Sequence, residues 1–107
     1  MESVTGNIFK ALSDPTRRSL FERIAREGEQ TVHSLTAQAG VSQPAVSKHL
    51  AALKAARLVR GRRKGRETHY SAQPQALAPL IDWMSHYGAF WRDRFDRLEN
   101  LLDKMES

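Results

Sequence analysis

Helical periodicity in several successive stretches, one short switch to strand-like alternation, and a long apolar repeat near the C-terminus predict a mainly α-helical chain. It should have about five helices and one small two-stranded β-hairpin. The chain has 107 residues, enough for one hydrophobic core and no second, so 1–107 reads as a single domain.

The first helix is expected over Val4–Leu12, where Val4, Ile8, Ala11 and Leu12 share a face. Ser13-Asp14-Pro15 then starts a second. Asp14 can cap free backbone N–H groups, and proline at the first helical position forfeits only an N–H that would be unpaired anyway. Leu20, Phe21, Ile24 and Ala25 form its apolar stripe and Gly28 stops it. Thr31-Val32 reads as a short extended piece, followed by a brief third helix over Ser34–Ala39 with Leu35 inward. The turn Gly40-Val41-Ser42 leads into a fourth helix capped by Ser42, with Pro44 in its first turn. Val46, Leu50, Leu53 and Ala56 hold the apolar spacing until the helix ends near Arg57.

From Leu58 to Ser71 the pattern becomes strand, turn, strand: Leu58-Val59-Arg60, a basic tip holding Gly61 and Gly65, then Thr68-His69-Tyr70. Ala72–Pro79 is a transition, with Pro79 in the first turn of the last helix, since later it would break the hydrogen-bond ladder. That helix, about Ala78–Lys104, would extend on the order of 40 Å, more than a compact domain of this size needs. Its apolar positions Met84, Gly88, Trp91, Phe95, Leu98, Leu102 and Met105 alternate four and three apart. The repeat runs on with no later element to cover it, which favours self-association over packing within one chain. Met84, Tyr87, Trp91, Phe95, Leu98 and Leu102 are the expected dimerisation residues.

Hydrophobic residues make up 40% of the chain, a modest core that pairing with a second copy would enlarge. The absence of cysteine excludes disulfides, thiolate metal sites and thiol redox sensing. Met1-Glu2-Ser3-Val4 lacks the marks of a secretory leader, and no apolar run approaches the roughly 20 residues of a membrane span. A soluble cytoplasmic protein is expected. Lys and Arg number 17 against 12 Asp and Glu, a net charge of +5. Such an excess suggests a polyanionic partner without separating DNA, RNA and anionic membrane. Its distribution says more. Gln30–Arg66 holds no acidic residue, whereas the C-terminal third mixes both signs as a solvated helix does.

Helix, tight glycine-containing turn, second helix and basic hairpin is the order of a winged helix-turn-helix. "ALSDPTRRSLFERI" at Ala11–Ile24, "VSQPAVSKHLAALKAARLV" at Val41–Val59 and "GRETHYS" at Gly65–Ser71 resemble the ArsR-type transcriptional regulators over nearly the whole chain. The DPTRR start and the "WRDRFDRLENLL" tail at Trp91–Leu102 resemble the cysteine-free branch. The resemblance implies a homodimer that binds promoter DNA, usually as a repressor.

Groove geometry suits that reading. A major groove about 12 Å wide admits one helix, whose N-terminal residues reach base edges. Gln43, Ala45, Ser47 and Lys48 are the exposed early positions of the fourth helix. Gln43 can pair with adenine, Ser47 with several base edges, Ala45 with a thymine methyl group, and Lys48 with guanine or phosphate. Ser42, His49 and Lys54 are better placed for the DNA backbone. Arg60, Arg62, Arg63, Lys64 and Arg66 make five of seven wing-tip residues basic, suited to a minor groove or to phosphates. Arg17 and Arg18 are as suited to a surface salt bridge as to DNA backbone. Residues 1–75 thus read as a DNA-binding core with its wing at 58–71, and 76–107 as a dimerisation helix. Double-stranded DNA, at an imperfect palindrome, and a second copy of the chain are the expected partners.

Little else in the sequence points to chemistry. No GxSxG nucleophile turn, GxxxxGK[ST] loop or HExxH spacing is present, so no catalytic residue is assigned and the protein reads as a non-enzyme. The resemblance implies metal sensing in some relatives, through cysteines at the third helix or Asp and His on the last. Thr31-Val32-His33-Ser34 offers no thiolate, and Asp82 with His86 makes half a site at best, so no metal and no cofactor is expected. Trp83, Tyr87, Phe90 and Trp91 read as core aromatics, with a small-molecule effector pocket at the dimer interface as the less favoured alternative.

Overall fold

A computed structural model describes residues 3–106, apart from the side chains of Trp91 and Glu106. The elements run α1 (Val4–Ser13), α2 (Pro15–Glu27), β1 (Gln30–Thr31), α3 (Val32–Ala39), α4 (Gln43–Ala55), β2 (Val59–Lys64), β3 (Glu67–Ala72), a 3-10 turn (Pro74–Leu77) and α5 (Ala78–Glu106). It is the predicted mainly helical architecture with a small antiparallel sheet.

Caps set most helix boundaries. The Arg17 N–H donates to Asp14 Oδ1 at 2.9 Å, and Pro15 follows at the first helical position. Gly28 ends α2 at φ 90°, where a side chain would be strained. α3 begins two residues earlier than its apolar spacing suggests. Thr31 and Ser34 cap each other reciprocally, with Thr31 Oγ1 accepting from the Ser34 N–H and Ser34 Oγ from the Thr31 N–H, both at 3.1 Å. Val32 is therefore helical, and the extended piece is Gln30–Thr31. Gly40, left-handed at φ 71°, turns the chain from α3 to α4, where the Ala45 N–H donates to Ser42 Oγ at 3.3 Å.

The sheet order is β1-β3-β2, so the expected two-stranded wing has a third strand at its base. β1 pairs Gln30 with Tyr70 and Thr31 with His69. β2 and β3 pair from Val59 with Ala72 at the root to Lys64 with Glu67 at the end, leaving only Gly65-Arg66 as the turn. The seven-residue tip expected from the sequence is mostly ladder. Its glycines have separate reasons: Gly65 adopts φ 64° in the turn, while a Cβ at Gly61 would come within 3.1 Å of Thr68 Cγ2.

The core joins Ile8 and Ala11 of α1, Leu20, Phe21 and Ile24 of α2, Leu35, Val46, Leu50 and Leu53, with Leu58 and Val59 at the wing root. Val4 and Ala25, assigned to apolar stripes from spacing, are exposed instead. The radius of gyration is 18.2 Å, against about 13 Å for a compact chain of this length. The long axis of 61 Å shows why: α5, 29 residues long, projects beyond the body.

Candidate DNA-binding face

The start of α4 is held rigidly while its outer face is left free. Val46, Leu50 and Leu53 are fully buried, and α4 packs against α2, α3 and β2. Gln43, Ser47 and Lys48 are exposed, so polar side chains project from the first turns of a helix anchored by its buried residues. Ala45 is half-buried, less open than expected. Lys54 is exposed on the Gln43–Ser47 face, about 16 Å farther along the axis from Gln43, clear of the helix start.

The wing returns to this helix. Gln43 faces a cleft of about 230 Å³ also lined by His33, Thr31, Thr68, Tyr70 and Arg66. The helix start and the wing thus border a common gap, with Gln43 on one side and Arg66 and Glu67 on the other. Arg60, Lys64 and Arg66 are exposed, and Arg63 Nε donates to the Gly65 carbonyl at 3.3 Å across the turn.

Two predicted backbone contacts are engaged within the protein. His49 is half-buried and its Nδ1 accepts from Arg17 Nε at 3.4 Å. Arg62 Nη2 lies 3.3 Å from Glu29 Oε1. The acid-free stretch begins at Gln30, one residue past this carboxylate, and only the β1–β3 pairing brings Glu29 to the wing. His69 Nδ1 is 3.2 Å from the same oxygen, and Ser71 Oγ donates to Oε2 at 3.3 Å. Partial burial pushes the Glu29 carboxyl up, but the Arg62 charge, the Ser71 and Arg62 hydrogen bonds and His69 outweigh it, so its pKa falls below 4.5. Arg17 Nη1 donates to the Ala11 carbonyl at 3.4 Å and Arg18 Nη1 to the Leu12 carbonyl at 3.0 Å, tying down the end of α1.

The described aromatics of α5 do not form the chain's own core. Trp83, Tyr87 and Phe90 are about half exposed, as are Met84, Leu98 and Leu102, and Phe95 more so. Trp91, named with them from the repeat, has its side chain outside the described residues. Trp83, Met84, Tyr87 and Gly88 border an open apolar hollow of about 400 Å³. Phe9 of α1, which the apolar spacing does not single out, packs edge-on to Trp83 with ring centroids 5.2 Å apart and extends the patch. Leu101 adds to it farther along. Among the described residues no three His, Asp or Glu side chains gather as a metal would need, and no helix is long and apolar enough to cross a membrane.

The sequence model of a family described as a helix-turn-helix domain matches residues 12–62. The transcriptional repressor SdpR of Bacillus subtilis is 36% identical over 81 residues, covering 76% of this chain and 89% of that protein. The solved structure of an ArsR-like transcriptional regulator from Rhodococcus sp. RHA1 superposes with a TM-score of 0.71 at 33% identity, covering 92% of each chain. A homodimeric winged helix-turn-helix DNA-binding domain from Mycobacterium bovis superposes with a TM-score of 0.65 at 25% identity, covering 78% of this chain and 80% of that one.

Proposed function

The chain belongs to the ArsR family of winged helix-turn-helix transcriptional regulators, DNA-binding proteins rather than enzymes, and on that footing we propose that it represses promoters as a homodimer reading an imperfect palindrome. The observation that carries this reading is the start of α4, where Gln43 and Ser47 stand exposed on a helix whose Val46, Leu50 and Leu53 are fully buried. A polar face on an immobile helix holds base-reading groups in register with a groove.

Gln43, Ala45 and Ser47 read bases, while Lys48 takes a guanine or a phosphate. Ser42, Lys54 and the wing cations Arg60, Arg63, Lys64 and Arg66 hold the backbone. His49 and Arg62 join them only after leaving Arg17 and Glu29. Residues 1–75 form the DNA-binding body. Residues 76–107 pair two copies through Met84, Tyr87, Trp91, Phe95, Leu98 and Leu102, a role favoured by the exposed apolar face of α5 and by the homodimeric M. bovis relative. The protein acts on double-stranded DNA in the cytoplasm.

Genome-wide footprinting of the purified protein tests this directly. Protected sites should contain two related half-sites whose centres lie about one helical turn, or a multiple of it, apart. Protection with no recurring motif would defeat the sequence-reading proposal.

A further inference from the structure

The wing's outer face carries a charged cluster that neither the core nor α4 uses. Strand alternation and the pairs Arg60–Ser71, Arg62–His69 and Lys64–Glu67 put these six side chains on one face. At its root three of them converge on one carboxylate: Arg62 at 3.3 Å, His69 at 3.2 Å and Ser71 at 3.3 Å from Glu29 oxygens. Arg62 remains 59% exposed, so the carboxylate and not packing holds its guanidinium. Lys64, two residues on along the same face, borders the turn that meets DNA in the proposed function, on which this inference rests.

We propose that Glu29 competes with DNA for Arg62. Its carboxylate takes the place a phosphodiester oxygen would fill and draws the guanidinium back toward the wing root. A phosphate must win the guanidinium from Glu29, so this one acidic residue restrains the wing's affinity. An exposed ion pair shifts an equilibrium by no more than about five-fold, which makes the restraint a tuning device rather than a lock. His69 and Ser71 position the carboxylate, and they keep a partner for it when Arg62 leaves.

The test titrates Glu29→Gln, Arg62→Ala, the double variant and wild type against a random-sequence duplex at several salt concentrations. Glu22→Gln, an exposed carboxylate of α2, controls for the change in net charge. Glutamine keeps an acceptor for Ser71 but cannot hold the guanidinium charge. Glu29→Gln should bind about two- to five-fold tighter at low salt, with a log–log salt slope steeper by up to about one, the signature of one more phosphate contact. That increase should vanish when Arg62 is alanine, and Glu22→Gln should show less than half of it. An equal increase in the Arg62→Ala background, or weaker binding by Glu29→Gln, overturns the proposal. Wild-type protein that shows no salt-dependent binding to any duplex would instead overturn the DNA-binding reading beneath it.

Discussion

Gln43 and Ser47, four residues apart at the exposed start of α4, are where sequence preference should reside. Replacing either by alanine leaves the core untouched, so folding should persist. Each change should cost about 1–3 kcal/mol on the operator and little on scrambled DNA, measured by titration at matched salt. Equal weakening on both DNAs would remove α4 from the groove. Asp14 illustrates a residue whose value depends on pH. The Arg17 backbone N–H holds its carboxyl below the ordinary 3.8, against a smaller opposing effect of partial burial. A depressed carboxyl contributes stability above its unfolded pKa and loses it as pH falls through the folded one. Asp14→Ala should therefore lower Tm by a constant amount above about pH 4, and thermal melts should show the gap narrowing below that. Arg57 holds φ 64° after α4, a left-handed conformation that glycine adopts without strain. Arg57→Gly should raise stability by about 0.5–1 kcal/mol, read from denaturant melts.

The wing behaves as a short rigid ladder, because β2 and β3 pair continuously from Val59 to Lys64 and only two residues turn. Under the proposed function, such a cationic edge should supply affinity without reading bases. Lys64→Ala combined with Arg66→Ala should weaken binding to all duplexes alike and flatten the salt slope by roughly one for each phosphate no longer neutralised. A change in base preference at one operator position with an unchanged slope would make the wing a reader instead. The second and third helices are tied by side chain to backbone. Arg23 Nη1 and Nη2 donate to the carbonyls of Leu35 and Ser34 at 3.4 and 3.1 Å, locking α3 onto α2.

At the scale of the molecule, α5 extends past the body, and Met84, Tyr87, Leu98, Leu102 and Met105 along it are about half exposed or more. In the proposed function a second copy covers this face. A chain ending at Phe90 should be monomeric or insoluble by sedimentation, and a folded dimer after that truncation would place the interface elsewhere.

Local physics made most elements legible in the residues. Asp14-Pro15, Gly40, Ser42 and Gly65 act through backbone conformation and nearby N–H groups, so their positions alone place helix starts, the turn and the hairpin. On α4, spacing places Lys48 opposite the buried Leu50 and Leu53, but Gln43 lies seven residues before Leu50 on the same side, so its exposure follows from its place at the helix start. Tertiary structure decided what depends on residues distant in the chain: the third strand, the Arg17–His49 contact, the Glu29 hold on Arg62, and Phe9 against Trp83. Spacing within one element says which face a side chain takes. Which charge or ring meets it there depends on strand pairing and helix packing, which bring together residues tens of positions apart.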